Sequence, residues 1–197
     1  IKSINDRYLL LEKKLQELYI LNNDLFEILK SFLDKVRSEI NYLILFKKAL
    51  NIDIDYILPE EDRILSHSDV GFHNMLEGNN KVYFIDFEYA GWDDPGKLFS
   101  DLLLQPDNNV PIKFFNILDK YFVDFILKKN YSHDRLIFML KLVRIKWSLI
   151  ILNPIFKSEN LSTKQFSNLL KMKIEKSLIY LEKSFLIINT IQQKIKA

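Results

Sequence analysis

Two of the chain's three histidines fall in one turn-rich stretch of twelve residues, LSHSDVGFHNML at 65–76. His67, Asp69, His73 and Asn74 crowd there, and Asp86 follows at the end of the β-rich run KVYFIDF at 81–87. Asn74 and Asp86 are oxygen donors of the kind Mg²⁺ takes, with positions left for water and phosphate. Asp69 would then be free to orient a hydroxyl and accept its proton during phosphoryl transfer. His67 in that arrangement is a scaffold residue, hydrogen-bonding the loop. A zinc site from His67, His73 and Asp69 competes with this, but the HSDVGFH spacing suits neither a helix face nor the common zinc patterns. Asp and Asn are also frequent turn formers. Taken singly, each residue therefore stays open between chemistry and loop structure.

The combination is more specific. His67-x-Asp69-x4-Asn74, followed by Asp86-Phe87-Glu88 after a hydrophobic strand, resembles the catalytic and metal motifs of protein-kinase-like phosphotransferases. Within them it is similar to the aminoglycoside phosphotransferase and choline kinase family, whose loop reads close to H-G-D-x-x-x-x-N. The continuation FIDFEYAGWDDPGKLFSDLLLQP extends the likeness. The narrower patterns S-x-S-D-x-G-F-H-N and DFEYAGWDDPGKL look like a subgroup associated with surface-polysaccharide biosynthesis. The resemblance implies Asp69 as catalytic base, Asn74 and Asp86 as Mg²⁺ ligands and His67 as loop support. It also implies ATP as phosphoryl donor and a small-molecule hydroxyl, such as that of a sugar or polysaccharide precursor, as acceptor.

There are departures from that pattern. The family run D-P-x-x-D would place an acid at position 98, which is Leu98. Asp101, one helical turn on, is expected to brace the loop instead. His73 stands where relatives carry Gly, so it either lines the acceptor pocket or is a partly exposed loop histidine. Glu88 in place of the protein-kinase Gly points to a small molecule rather than a protein substrate. Phe87, Tyr89 and Trp92 read as core aromatics or as stacking platforms, with Trp92 the best pocket candidate alongside Glu88. His133 has only a loop or cap reading.

What must position these residues is mostly helix. All four glycines lie between Gly71 and Gly96, so the flanks lack the residue that turns prefer. Residues 4–21 carry Ile4, Tyr8, Leu11, Leu15, Leu18 and Tyr19 on one predicted helical face. NND at 22–24 predicts a break and an N-cap, and a second helix runs to about Leu50 on Leu25, Ile28, Leu29, Phe32, Val36, Ile40, Leu43 and Phe46. Further helices are predicted over 111–129, 134–152 and 162–190, with Asp134 and Ser162 as caps. EGNN predicts a turn before a strand at 81–87, and RILSH at 63–67 a short extended segment. The expected fold is mainly α, the C-terminal lobe of a protein-kinase-like fold: a helical bundle with a small β-hairpin that carries the catalytic and metal loops, filling 1–197.

At 197 residues and 48% apolar content the chain can bury a sizeable core. A net charge of +2 from 28 basic and 26 acidic residues gives no basic excess for nucleic acid. Zero cysteines exclude disulfides, thiolate nucleophiles and Cys-based zinc, and suit a cytoplasmic location. The most apolar run, LIFMLKLVRIKWSLIILNPIF, carries Lys141, Arg144 and Lys146, so no membrane span is expected. Arg144 and Lys146 read as snorkelling surface charges, or as a reach toward an anionic acceptor. No glycine precedes Gly71, so a nucleotide-covering loop of Gly-rich type has no place upstream. The N-terminal nucleotide lobe is thus expected to be absent from this chain, and the Ile start implies residues before it. A non-catalytic, pseudokinase-like binding or regulatory module is the alternative to a phosphotransferase lobe. Either way, the face left by the missing lobe is expected to be covered by an oligomer or a partner.

Overall fold

Asn22 ends one helix and begins the next. Its Oδ1 accepts from the Leu25 backbone N–H at 3.0 Å, satisfying a donor that the helix itself cannot. The two helices are α1 (Lys2–Leu21) and α2 (Asn23–Ala49) in a computed structural model that describes residues 2–52, 58–107, 110–114, 117, 118, 120, 122, 131–158 and 161–196. The predicted α2 face is present: Leu25, Leu29, Phe32, Val36 and Leu43 are buried. Leu33 joins them, which the periodicity missed. On α1, Ile4, Leu11 and Leu18 are buried, but Tyr19 is 68% exposed, edge-on to Phe26 rather than in the core.

Downstream lie α3 (Pro95–Leu104), α4 (His133–Ile150) and α5 (Thr163–Lys196). Ser162 caps α5 as predicted: it accepts from Gln165 N at 3.4 Å, and the Gln165 side chain accepts from Ser162 N at 3.0 Å. The cap of α4 is Ser132, whose Oγ accepts from Arg135 N at 3.1 Å, and not the predicted Asp134, which lies inside the first turn. Much of the helix predicted over 111–129 lies outside the described residues; a short 3-10 turn covers Ile112–Phe114.

Two small antiparallel ribbons interrupt the helices. Strand β1 (Ile64–Ser66) pairs with β4 (Gly91–Asp93), and β2 (Met75–Gly78) pairs with β3 (Lys81–Phe84). Asn79 and Asn80, both at positive φ (52° and 56°), close the second ribbon as a two-residue loop. That geometry matches the twist of a hairpin and fixes its register. The strand predicted over 81–87 stops at Phe84, because Asp86 turns out of extended backbone at φ 61°.

The chain divides into two compact units. Unit 1 comprises residues 1–46 and 144–186, and unit 2 comprises 47–143 and 187–197. In unit 1 the core includes Leu11, Leu29, Phe32, Leu149, Leu170 and Leu181, all at or below 1% exposure, each contributing roughly 1.5–3 kcal/mol by burial. Arg144 does not snorkel. It is 5% exposed, donates through Nη1 and Nη2 to both Glu39 oxygens at 2.6 and 3.2 Å, and donates to the Leu181 carbonyl at 3.0 and 2.8 Å. It therefore ties α2, α4 and α5 together, with four of its five N–H donors committed inside unit 1. Unit 2 holds both ribbons, α3 and the start of α4. Among the described residues, no helix is long and apolar enough to cross a membrane.

Candidate active site

The hairpin register decides which polar groups meet. Met75 pairs with Phe84, and one step beyond the ladder Ile85 N donates to the Asn74 carbonyl at 3.0 Å. Asn74 and Asp86 therefore come to the same open end of the β2–β3 ribbon. His67 reinforces this end: its Nε2 donates to the Ile85 carbonyl at 2.5 Å, on the residue that precedes Asp86. That bond puts the imidazole proton on Nε2. Nδ1 is buried without a partner, and the ring lies 4.8 Å from that of Phe87.

Asp69 meets this end through Asn74. The Asn74 Nδ2 donates to the Asp69 carbonyl at 2.9 Å and lies 3.4 Å from its Oδ2. Asn74 is buried while the Asp69 side chain is 35% exposed, so the amide is a support and the carboxylate faces solvent. His73 Nε2 sits 3.5 Å from Asp69 Oδ2. A Cβ on Gly71 would lie 2.7 Å from the His73 ring, so the glycine leaves the room in which the imidazole reaches Asp69.

Tyr89 reports on the surrounding charge. A hydrogen bond to Glu88 is the largest of the effects that raise its phenol above the ordinary tyrosine value, followed by the Glu88 charge, desolvation, and the charges of Asp86 and Asp69. These three carboxylates thus share one electrostatic neighbourhood. Phe87, Tyr89 and Trp92 are 58%, 65% and 70% exposed, so none is a core residue. Trp92 pairs across the β1–β4 ribbon with Leu65, and alternation turns it to the face opposite Asp93.

Sequence reasoning overlooked the support beneath the loop. Lys97 Nζ lies 2.8 Å from Asp93 Oδ2, 3.3 Å from Asp101 Oδ2 and 3.5 Å from the Ser68 carbonyl. The Asp101 contact is longer than a usual charge-assisted hydrogen bond and is mainly ionic. Burial works to lower the Lys97 ammonium, but the charges and hydrogen bonds of Asp101 and Asp93 outweigh it and hold the group above the ordinary lysine value. Asp101, 1% exposed, meets the same Lys97 ammonium that faces the Ser68 carbonyl of the loop. Beside it, Asp94 caps α3 by accepting from Gly96 N at 2.7 Å, and also accepts from Tyr131 Oη at 2.5 Å and from Arg135 at 2.8 and 3.1 Å. The sequence DDPGK held a signal for this, an acid before proline being a helix start.

A cavity of about 530 Å³ opens at the start of α4 between Tyr131, His133 and Gln192, and another of about 580 Å³ in unit 1 between Lys13, Leu18 and Phe166. None of His67, Asp69, Asn74 or Asp86 lines either one. No protein-family model matches the chain, and no curated protein matches it.

Proposed function

We propose that this site performs phosphoryl transfer, as the catalytic and acceptor lobe of a small-molecule phosphotransferase similar to the aminoglycoside phosphotransferase and choline kinase family. The observation that carries the reading is the register of the β2–β3 ribbon, which sets Asn74 beside Ile85–Asp86 while the Asn74 amide holds Asp69. Both hydrogen bonds of the Asn74 side chain use Nδ2, so Oδ1 keeps its lone pairs for a cation. Asp86 is exposed and adds one carboxylate. Among the described residues, no three His, Cys, Asp or Glu side chains gather as a cation cage. One amide and one carboxylate oxygen fit Mg²⁺, which commonly keeps waters and completes its shell with substrate phosphates. Bound there, Mg²⁺ would neutralise phosphate charge. Asp69 orients the acceptor hydroxyl and takes its proton as the oxygen–phosphorus bond forms and the bond between the γ-phosphorus and ADP breaks.

Mn²⁺ titrated into the ¹⁵N-labelled chain tests the ligand pair. Broadening is expected to centre on the amides of Asn74, Asp86 and Asp69. Asp86→Asn should weaken Mn²⁺ binding by at least about tenfold, since losing even the partner behind a ligand has that effect. Broadening elsewhere, or an unchanged affinity in the variant, would overturn the reading. Added ATP then separates enzyme lobe from binding module: nucleotide-dependent stabilisation in the presence of Mg²⁺ supports the former.

Exposed apolar side chains support a covering partner. Leu65, Leu76, Val82, Phe84, Phe87 and Trp92 are all between 48% and 72% exposed on or beside the two ribbons. Surfaces of this character associate or bind hydrophobic dyes. Light scattering with a dye-binding assay checks it, and a monodisperse monomer that leaves the dye dark would count against it.

A further inference from the structure

Ser68 stands directly before Asp69 with its backbone in the left-handed region, at φ 63°. Residues with a Cβ adopt that conformation rarely and keep it only when neighbours hold them there. Three contacts do so. Ser68 N donates to Ser66 Oγ at 3.0 Å, Ser68 Oγ donates to Asp93 Oδ2 at 3.2 Å, and Lys97 Nζ faces the Ser68 carbonyl at 3.5 Å. Lys97 joins the last two, because it also binds the same Asp93 oxygen at 2.8 Å and Asp101 at 3.3 Å. Asp93 lies on β4, whereas Lys97 and Asp101 lie on α3. The ammonium therefore links ribbon, helix and loop at this point.

We infer that Lys97 is a positioning residue for the phosphotransfer site. Clamped between Asp93 and Asp101, it holds the Ser68 carbonyl and so keeps the left-handed turn that aims Asp69. The effect reaches Asn74, since the Asp69 carbonyl accepts from the Asn74 Nδ2 at 2.9 Å and so fixes which end of that amide faces the loop. Groups that do this for a metal ligand act through orientation rather than contact. The inference rests on the phosphotransfer reading for its consequence, but its structural half, the hold on Ser68, stands separately.

Removing Lys97 alone would take the ammonium away from the buried Asp101 carboxylate, so the informative variant is Lys97→Met combined with Asp101→Asn. Lys97→Arg serves as the charge-preserving control. In ¹⁵N-labelled protein the double variant is expected to shift the Ser68, Asp69 and Asn74 amide resonances while those of Tyr131 and Arg135 stay in place. Its Mn²⁺ affinity is expected to fall about tenfold, the effect of losing an outer-shell partner. Lys97→Arg should lie closer to the parent on both measures. Parent-like loop resonances and affinity in the double variant would overturn the inference, as would an Arg variant no better than the double. If the parent itself binds no Mn²⁺, the phosphotransfer reading fails, and the amide shifts alone still decide whether Lys97 holds the loop.

Discussion

Arg144→Ala is expected to lower unfolding free energy by about 3 kcal/mol, near the low end for breaking a buried ion pair. Two losses combine. The Leu181 carbonyl loses both of its guanidinium donors, and Glu39 loses a bidentate partner. The Glu39 side chain is 23% exposed and recovers some hydration, which keeps the figure from rising further. Urea denaturation reads the difference directly. Replacing both partners, Arg144→Met with Glu39→Leu, should return most of the stability, because no charge is then left unpaired in the core. A double variant as unstable as the single one would mean that packing rather than charge sets the effect.

Asp94→Ala is expected to be at least as damaging, by about 4 kcal/mol, since a helix cap and a partly buried ion pair go together. The side chain of Asp94 is 12% exposed and that of Arg135 20%, so water replaces little of what is lost. Gly96→Ala attacks the same joint from another side, as its Cβ would press on the Tyr131 hydroxyl. The joint also predicts an alkaline limit. Burial first, and then the Asp94 charge, push the Tyr131 phenol far above the ordinary tyrosine value. A group raised on folding contributes stability that is complete below its unfolded value and is lost as pH climbs. Unfolding free energy should therefore fall as pH rises above about 10, where an unfolded tyrosine ionises and the native one does not. Lys97, also raised, adds to the same decline. Tyr131→Phe should make that decline shallower, and denaturation midpoints between neutral pH and pH 11 would show it.

What could be read from the residues followed locality. The Asn22 break, the Ser162 cap and the Asn79–Asn80 turn were legible because each is built from side chains within a few positions of the backbone they serve. Strand β2, MLEG, was not, since it carries no β-branched residue and owes its state to its partner across the turn. Strand β4 was missed for the same reason, being three residues ordered by β1. Tyr19 fitted the helical period only loosely: in the last turn of α1 the core-facing position is Leu18, 4% exposed, and Tyr19 beside it is 68% exposed. At the candidate site, His67, Asp69, Asn74 and Asp86 stand out in the sequence by type and spacing, whereas Lys97 does not. Its role depends on β4, α3 and the loop arriving at one ammonium, and nothing in the spacing of DDPGK announces that.

Contact order separates the two kinds of structure in this chain. The Asn74–Asp69 bond spans 5 residues and the His67–Ile85 bond 18, while the Arg144–Glu39 pair spans 105. Closing a loop carries an entropy penalty that grows with the logarithm of its length. The contacts that shape the candidate site are therefore the ones a fluctuating chain re-forms most readily, and those that staple the helices of unit 1 are re-formed last. The β2–β3 hairpin, with its register set by two asparagines, lets the geometry of the candidate site be stored in a short piece of sequence whose closure depends little on distant staples.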